Sequence, residues 1–353
     1  MTLRRRCWLS QLRRKAQTRQ GAVEMKETVM VQGAWRILIL LAFVLLPPTL
    51  ASAREAHWPQ VLTLGTASEG GTYYAYGEGL ARLLTRELGI PVVARPTGGP
   101  IDNIKLLESG EIQLAFVTQG VALQAWNASA PWTGGRPYRN MRVMFAMYDT
   151  PFQFQVLSDS PIQSFADFAG KRIGVGPEGG TTATYFPEFL KALKIEATLV
   201  SGDWAVLAEK SVGRSIDALA VGAGVPAPFL IDIERKAKVR YLPLTRQEIA
   251  TLRLAMPELS ASVVAAGSYP TLRRRYDTVG LFNFAVAHKD LPDDLVTAIV
   301  NTVFANNEQM IEFHPAAAET IPSNITRNNF IPLHGGAVSW YRSRLTPGVV
   351  NAD

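Results

Sequence analysis

Apolar and polar positions along the chain fall into two alternating patterns. Short apolar runs rich in β-branched residues read as strands, and stretches with apolar positions three or four apart read as amphipathic helices. Residues 61–65 (VLTLG), 91–95 (PVVAR) and 112–117 (IQLAFV) are predicted strands. Between them, 72–87 places Leu80, Leu83 and Leu84 at helical spacing, and 101–109 places Ile101, Ile104 and Leu107 on one face, stopped by Gly110. The same alternation returns with strands at 152–157, 171–175, 197–200 and 216–221 and helices at 181–193 and 205–213, then a strand at 281–287 and a helix at 293–308. Strand, helix and strand joined by short loops imply parallel pairing in a covered sheet. Two such units imply two lobes.

Composition supports a large folded body. The chain has 353 residues, of which 47% are hydrophobic and 19% charged, which excludes a disordered polymer. The formal charge of +6 would suggest nucleic acid or anionic membrane, but it is unevenly placed. Residues 1–53 carry nine Lys or Arg and two Glu, a net of +7, so the remaining 300 residues are near neutral at −1. Within that leader, 37–46 (ILILLAFVLL) is a ten-residue apolar run. A span needs roughly 20 residues, so the run reads as the core of a signal peptide with Ala51-Ser52-Ala53 as its cleavage motif. Cleavage after Ala53 is expected, with translation starting at Met1, Met25 or Met30. The only cysteine, Cys7, lies in the leader, so the mature chain is expected to hold no disulfide, thiolate metal site or cysteine nucleophile.

Candidate chemistry concentrates in glycine-bearing loops after strands. Gly70-Gly71-Thr72, Thr97-Gly98-Gly99 and Gly179-Gly180-Thr181-Thr182 each precede a helix, and Gly222-Ala223-Gly224-Val225-Pro226 follows a strand. Loops at the carboxyl ends of strands are where open α/β sheets bind ligands, and the amides of a helix start favour an anion. Gly174 to Gly179 also matches G-x-G-x-x-G, with Glu196 further on, so a dinucleotide-dependent oxidoreductase stands as the alternative. Acid–base and metal chemistry has little basis: His57, His288, His314 and His334 are far apart and read as exposed or capping imidazoles. Tyr73, Tyr74 and Tyr76 open a helix beside the first loop and read as ligand contacts or as interlobe packing, whereas Trp126, Trp132 and Trp204 read as packing.

These loops occur in a familiar order. Gly70-Gly71-Thr72-Tyr73-Tyr74, Thr97-Gly98-Gly99 with Asn103, and 106–117 (LLESGEIQLAFV) resemble the TAXI class of TRAP transporter solute receptors, as do 165–176 (FADFAGKRIGVG), 223–228 (AGVPAP) and 332–337 (PLHGGA). The resemblance runs from about residue 61 to 342. It implies an α/β, two-lobed periplasmic binding protein of type II-like form with two hinge strands, preceded by a signal peptide. The expected division is a leader at 1–53, the first part of lobe 1 at 58–148, lobe 2 at 149–278, and a return to lobe 1 with C-terminal helices at 279–353. Hinge strands are expected at 144–154 and 279–286. The expected ligand contacts are Gly71, Thr72, Tyr73, Tyr74, Gly98, Asn103, Gln119, Glu178, Gly179, Gly180, Thr181, Thr182 and Gly224. The resemblance further implies a small organic acid or amino acid as solute, TRAP membrane subunits as partners, a periplasmic location and no enzymatic activity. A monomer is expected, without cofactor, metal or nucleic acid. Pro177-Glu178 and Gly180 depart from the family pattern in the third loop, which weighs against a dicarboxylate and favours a neutral or cationic end on the solute.

Overall fold

A computed structural model describes residues 55–344. The apolar run at 37–46 and the cleavage motif therefore lie outside the described residues. Among the described residues, no helix is long and apolar enough to cross a membrane.

In chain order the elements are β1 (Leu62–Gly65), α1 (Thr72–Leu88), β2 (Val92–Arg95), α2 (Pro100–Glu108), β3 (Leu114–Thr118), α3 (Gln119–Asn127) and the long β4 (Met141–Leu157). There follow β5 (Arg172–Gly176), α4 (Thr181–Leu193), β6 (Thr198–Ser201), α5 (Trp204–Val212), β7 (Ala218–Gly222), α6 (Pro228–Lys236), β8 (Val239–Tyr241) and α7 (Arg246–Ala255). The chain closes with β9 (Ser260–Val264), β10 (Tyr276–His288), α8 (Asp293–Ala305), α9 (Asn307–Phe313) and α10 (Gly335–Arg344).

The strands lie in the order β2-β1-β3-β10-β4-β7-β5-β6, with β8 on β4 and β9 on β10. Each end of the sheet is parallel: β1 pairs with β2 and β3, and β5 pairs with β6 and β7. The middle is antiparallel, where β10 pairs with β3 and β4, and β4 with β7. One strand thus serves both halves. Residues 141–151 of β4 lie beside β10, and 152–157 lie beside β7 and β8. Nearly every residue of β4 is buried, as expected of a central strand covered on both faces.

Aromatic side chains fill both cores. Tyr73 and Tyr76 of α1 pack edge-on against Phe116 of β3, and both approach Tyr148 of β4. In the other half Phe154 meets Phe165 at 4.9 Å and 82°, with Phe168 and Phe186 alongside. Such offset and edge-to-face pairs contribute roughly 0.5–1.5 kcal/mol each beyond the area they bury.

The middle of β4 breaks this apolar run with Asp149 and Thr150. Burial pushes the Asp149 carboxyl up to about 6, against the lowering effect of its hydrogen bond from the Ser262 hydroxyl. Close by, His314 stacks on Tyr148, and burial holds its imidazole down to about 4. These two groups act in opposite directions on stability. Asp149 binds its proton more tightly in the folded state, so its contribution is full below the unfolded value and is lost as pH rises through about 6. His314 binds its proton less tightly, so its contribution is full above 6.5 and is lost as pH falls through about 4. Asp149→Asn removes one side of this balance. Its unfolding free energy, measured by urea titration, should rise more steeply between pH 4 and 6.5 than that of the unsubstituted protein.

Candidate functional site

Three helices begin at a glycine instead of at a capping side chain. Gly71 caps α1, Gly99 caps α2 and Gly180 caps α4, and none of these caps carries a side-chain hydrogen bond. A fourth helix, α3, starts after Thr118, again without a side-chain cap. The first amides of a helix lack intrahelical partners and gather partial positive charge. A small side chain at the cap leaves these donors reachable.

These starts converge on one cavity of about 50 Å³. One wall comes from the β1–α1 turn and α1 (Ala67, Ser68, Gly71, Thr72, Tyr73) and from the start of α2 (Gly98, Gly99, Pro100). Thr118 and Thr150 form its floor, at the end of β3 and within β4. The opposing wall comes from the α4 loop (Pro177, Gly180, Thr181, Thr182), from Trp204 and from Gly222, Ala223 and Gly224 after β7. No charged side chain lines it.

The two halves of the sheet touch directly around this cavity. The Thr72 hydroxyl donates to the Gly224 carbonyl at 3.0 Å, and the Ile101 amide donates to the Gly179 carbonyl at 3.2 Å. The Thr118 and Thr181 hydroxyls share a hydrogen bond at 3.2 Å. Gly99 is required by this approach: its φ is +121°, and a Cβ there would stand 3.0 Å from the Gly179 carbonyl oxygen and the Gly180 Cα. A further tie runs from His314 to Pro226. The His314 Nδ1 accepts from the Ala316 amide, so Nε2 carries the proton and donates to the Pro226 carbonyl at 3.1 Å.

Of the residues singled out from sequence, Gly71, Thr72, Tyr73, Gly98, Gly180, Thr181, Thr182 and Gly224 stand on the cavity wall. Gly179 adjoins it, its carbonyl being the one that receives Ile101. Four others stand off it. Asn103 is fully buried, and its amide donates to the backbone carbonyls of Thr66 and Phe116, so it braces the first loops from behind. Gln119 donates to the Arg327 carbonyl and to Asn329. Glu178 is exposed. Tyr74 is half-exposed, with the Glu78 carboxylate raising its phenol above the usual range.

Among the wall residues not expected as contacts, four carry polar or aromatic side chains. Ser68 lies in the glycine turn already singled out, and Thr118 ends a recognised strand. Thr150 belongs to the polar pair that interrupts β4, a signal available in the sequence. Trp204, read there as packing, does pack, stacked on Phe229 at 4.4 Å, but its indole also stands against Gly71 and Gly176. This also explains the G-x-G-x-x-G spacing. A Cβ on Gly174 would meet Leu219, Ile216 and Leu207, and one on Gly176, whose φ is +78°, would meet the Trp204 indole. Close internal packing accounts for these glycines without a pyrophosphate.

The remaining chemistry of the site is that of donors. Tyr73 donates to the Asn283 carbonyl oxygen at 2.6 Å, and burial holds its phenol well above the usual range, so it stays protonated. Among the described residues, no group of three or more His, Cys, Asp or Glu is placed to hold a metal ion.

A model of the NMT1-like family matches residues 64–343. Solved structures of similar fold include MatC from Rhodopseudomonas palustris with bound malate, 13% identical, covering 77% of this chain and 93% of that one at a TM-score of 0.54. The periplasmic binding protein BugD is 15% identical, covering 74% and 88% at 0.52. PhnD1 from Prochlorococcus marinus in complex with methylphosphonate is 14% identical, covering 74% and 91% at 0.51. The fold is therefore that of the periplasmic binding proteins.

Proposed function

This chain belongs to the NMT1-like family, and on that premise we propose that it is an exported solute receptor that closes around a small carboxylate in the cavity between its two halves. The observation that carries this reading is the convergence of glycine-capped helix starts from both halves on one cavity lined by no charged side chain. An anion there meets amides and hydroxyls that are already oriented.

In this reading the lobes are 58–148 with 279–353, and 149–278. The hinge strands at 144–154 and 279–286 fall within β4 and β10, which are continuous through those positions. Solute shifts the equilibrium toward the closed form because only that form places donors of both lobes on it. The loop order of the TAXI class supports delivery to TRAP membrane subunits, and the leader supports export with cleavage after Ala53. The contacts proposed are Gly71, Thr72, Tyr73, Gly98, Gly180, Thr181, Thr182 and Gly224, joined by Ser68, Thr118, Thr150 and Trp204.

The test is a thermal-shift panel on protein stripped of solute by unfolding and refolding. At a concentration 100 times its Kd, a true solute adds about 2.7 kcal/mol of stability. Several degrees of stabilisation by at least one small carboxylate is expected. Stabilisation by NAD and by no organic acid would instead support the oxidoreductase.

A further inference from the structure

Within the receptor reading, the cavity's donors and acceptors narrow the class of solute. Ser68 is 6% exposed and stands on the wall, yet its hydroxyl has no hydrogen-bond partner in the protein. The Thr150 hydroxyl accepts from the Asn283 amide at 2.6 Å, and the Thr182 hydroxyl accepts from the Gly222 amide at 2.8 Å. In both, the hydroxyl oxygen is engaged as an acceptor and its proton is still available. Thr118 and Thr181 share one bond, so one of the pair also keeps a free proton. A hydroxyl has one proton and two lone pairs. Four hydroxyl protons on residues of the cavity wall therefore have no protein acceptor, in addition to the first amides of α1 and α4.

Counterparts for a cation are missing from that wall. No carboxylate or imidazole lines it. The nearby Asp102 carboxylate accepts from the Gly98 amide at 3.0 Å, so it is engaged in closing its own loop. No Arg or Lys lines the cavity to receive a second negative group. A space of about 50 Å³ favours a short solute.

We propose that the solute is a short 2-oxo monocarboxylate. Its single carboxylate sits on the helix starts of α1 and α4, and its keto oxygen accepts from the wall hydroxyls. It brings no ammonium and no second charge. An amino acid of the same skeleton would bring an ammonium to a wall that carries no carboxylate or imidazole to pair it, which is costly in a buried site. A site built around the hydrogen bonds of one substrate discriminates strongly against analogues that leave its groups unpaired.

The test is calorimetry on the stripped chain with matched skeletons: pyruvate and 2-oxobutyrate, alanine and 2-aminobutyrate, and 2-oxoglutarate for the second charge. At least one oxo monocarboxylate should bind about 100-fold or more tighter than both its amino counterpart and 2-oxoglutarate. Equal or tighter binding of an amino acid or of 2-oxoglutarate would overturn the inference and leave the receptor standing. Binding by none of these or any other small carboxylate would overturn both. Ser68→Ala separates recognition from folding. It removes a hydroxyl that has no protein partner, so the apo melting temperature should hold or rise while affinity for the oxo acid falls about tenfold. Unchanged affinity would count against the proposed donor set.

Discussion

Gly120→Ala is expected to weaken solute capture by about 100-fold while leaving the chain folded. Gly120 lies in the first turn of α3, in one half of the sheet, and faces Tyr185 of α4 in the other. A Cβ built on Gly120 would lie 1.7 Å from the Tyr185 hydroxyl oxygen and 2.5 Å from its ring carbon. The tyrosine has little room to withdraw. Its ring is 1% exposed and packs beside Phe152, and its hydroxyl donates to Glu258 at 2.8 Å. The halves must instead move apart by more than 1 Å, which also pulls on the bond between Thr118 and Thr181 one turn away. Overpacking of this kind costs roughly 1–3 kcal/mol, and every 1.4 kcal/mol is tenfold in affinity. The open form gains, because alanine exceeds glycine in helix propensity by up to about 1 kcal/mol. The substitution therefore separates closure from folding. Calorimetry with the identified solute should show the loss, and X-ray scattering should show a larger radius of gyration with solute present. Adding Tyr185→Phe removes the atom at 1.7 Å and should recover part of the affinity. Unaltered affinity in Gly120→Ala would mean that α3 and α4 stay apart in the solute-bound protein.

The parts of this site that could be read from sequence are those whose cause is local. A glycine before a helix marks a loop start locally, and Gly71, Gly99 and Gly180 are found as helix caps at the cavity, of which only Gly99, at φ +121°, needs the backbone freedom of glycine. Parallel pairing was legible for the same reason, since β1–α1–β2 and β5–α4–β6 each repeat a short local unit. The long strands were legible only in pieces. Residues 152–157 and 281–287 read as strands, but β4 begins at Met141 and β10 at Tyr276. A strand buried on both faces shows no period of two, and in β4 the polar Asp149 and Thr150 interrupt the apolar run. Asn103 shows the other limit. A buried amide beside a glycine loop serves equally well to bind a ligand or to hold the loop, and its targets decide between these roles. Those targets, the carbonyls of Thr66 and Phe116, lie on separate segments that only the fold brings together. Trp204 carried the reverse ambiguity, since the same indole both packs on Phe229 and lines the cavity.

Asn283 gave no local signal, and its replacement is expected to have the largest effect on stability. It is fully buried in β10, where the register against β4 shifts between Phe282 and Phe284. Its amide nitrogen donates to the Tyr148 carbonyl and to the Thr150 hydroxyl, each at 2.6 Å, and its oxygen accepts from the Tyr73 hydroxyl at 2.6 Å. One side chain thus joins the start of α1 to the irregular stretch of both long strands and supports two residues of the cavity wall. Asn283→Leu removes three hydrogen bonds and leaves a buried tyrosine hydroxyl and a strand carbonyl without partners. At roughly 1 kcal/mol per bond, with a further penalty for the stranded groups, the cost is about 3–5 kcal/mol. For a body of this size each kcal/mol lowers the melting temperature by roughly 2–4 °C, so a fall of about 10 °C is expected in calorimetric scans. Tyr73→Phe deletes only one of the bonds and should cost about 1 kcal/mol. The double variant supplies the sharper criterion. With the asparagine gone, the Tyr73 hydroxyl has no acceptor to lose, so adding Tyr73→Phe should be neutral or stabilising and the two effects should fall short of additivity by about 1 kcal/mol or more. Strict additivity would show that Tyr73 and Asn283 act independently, and that the cavity wall is held to the crossing strands by packing alone.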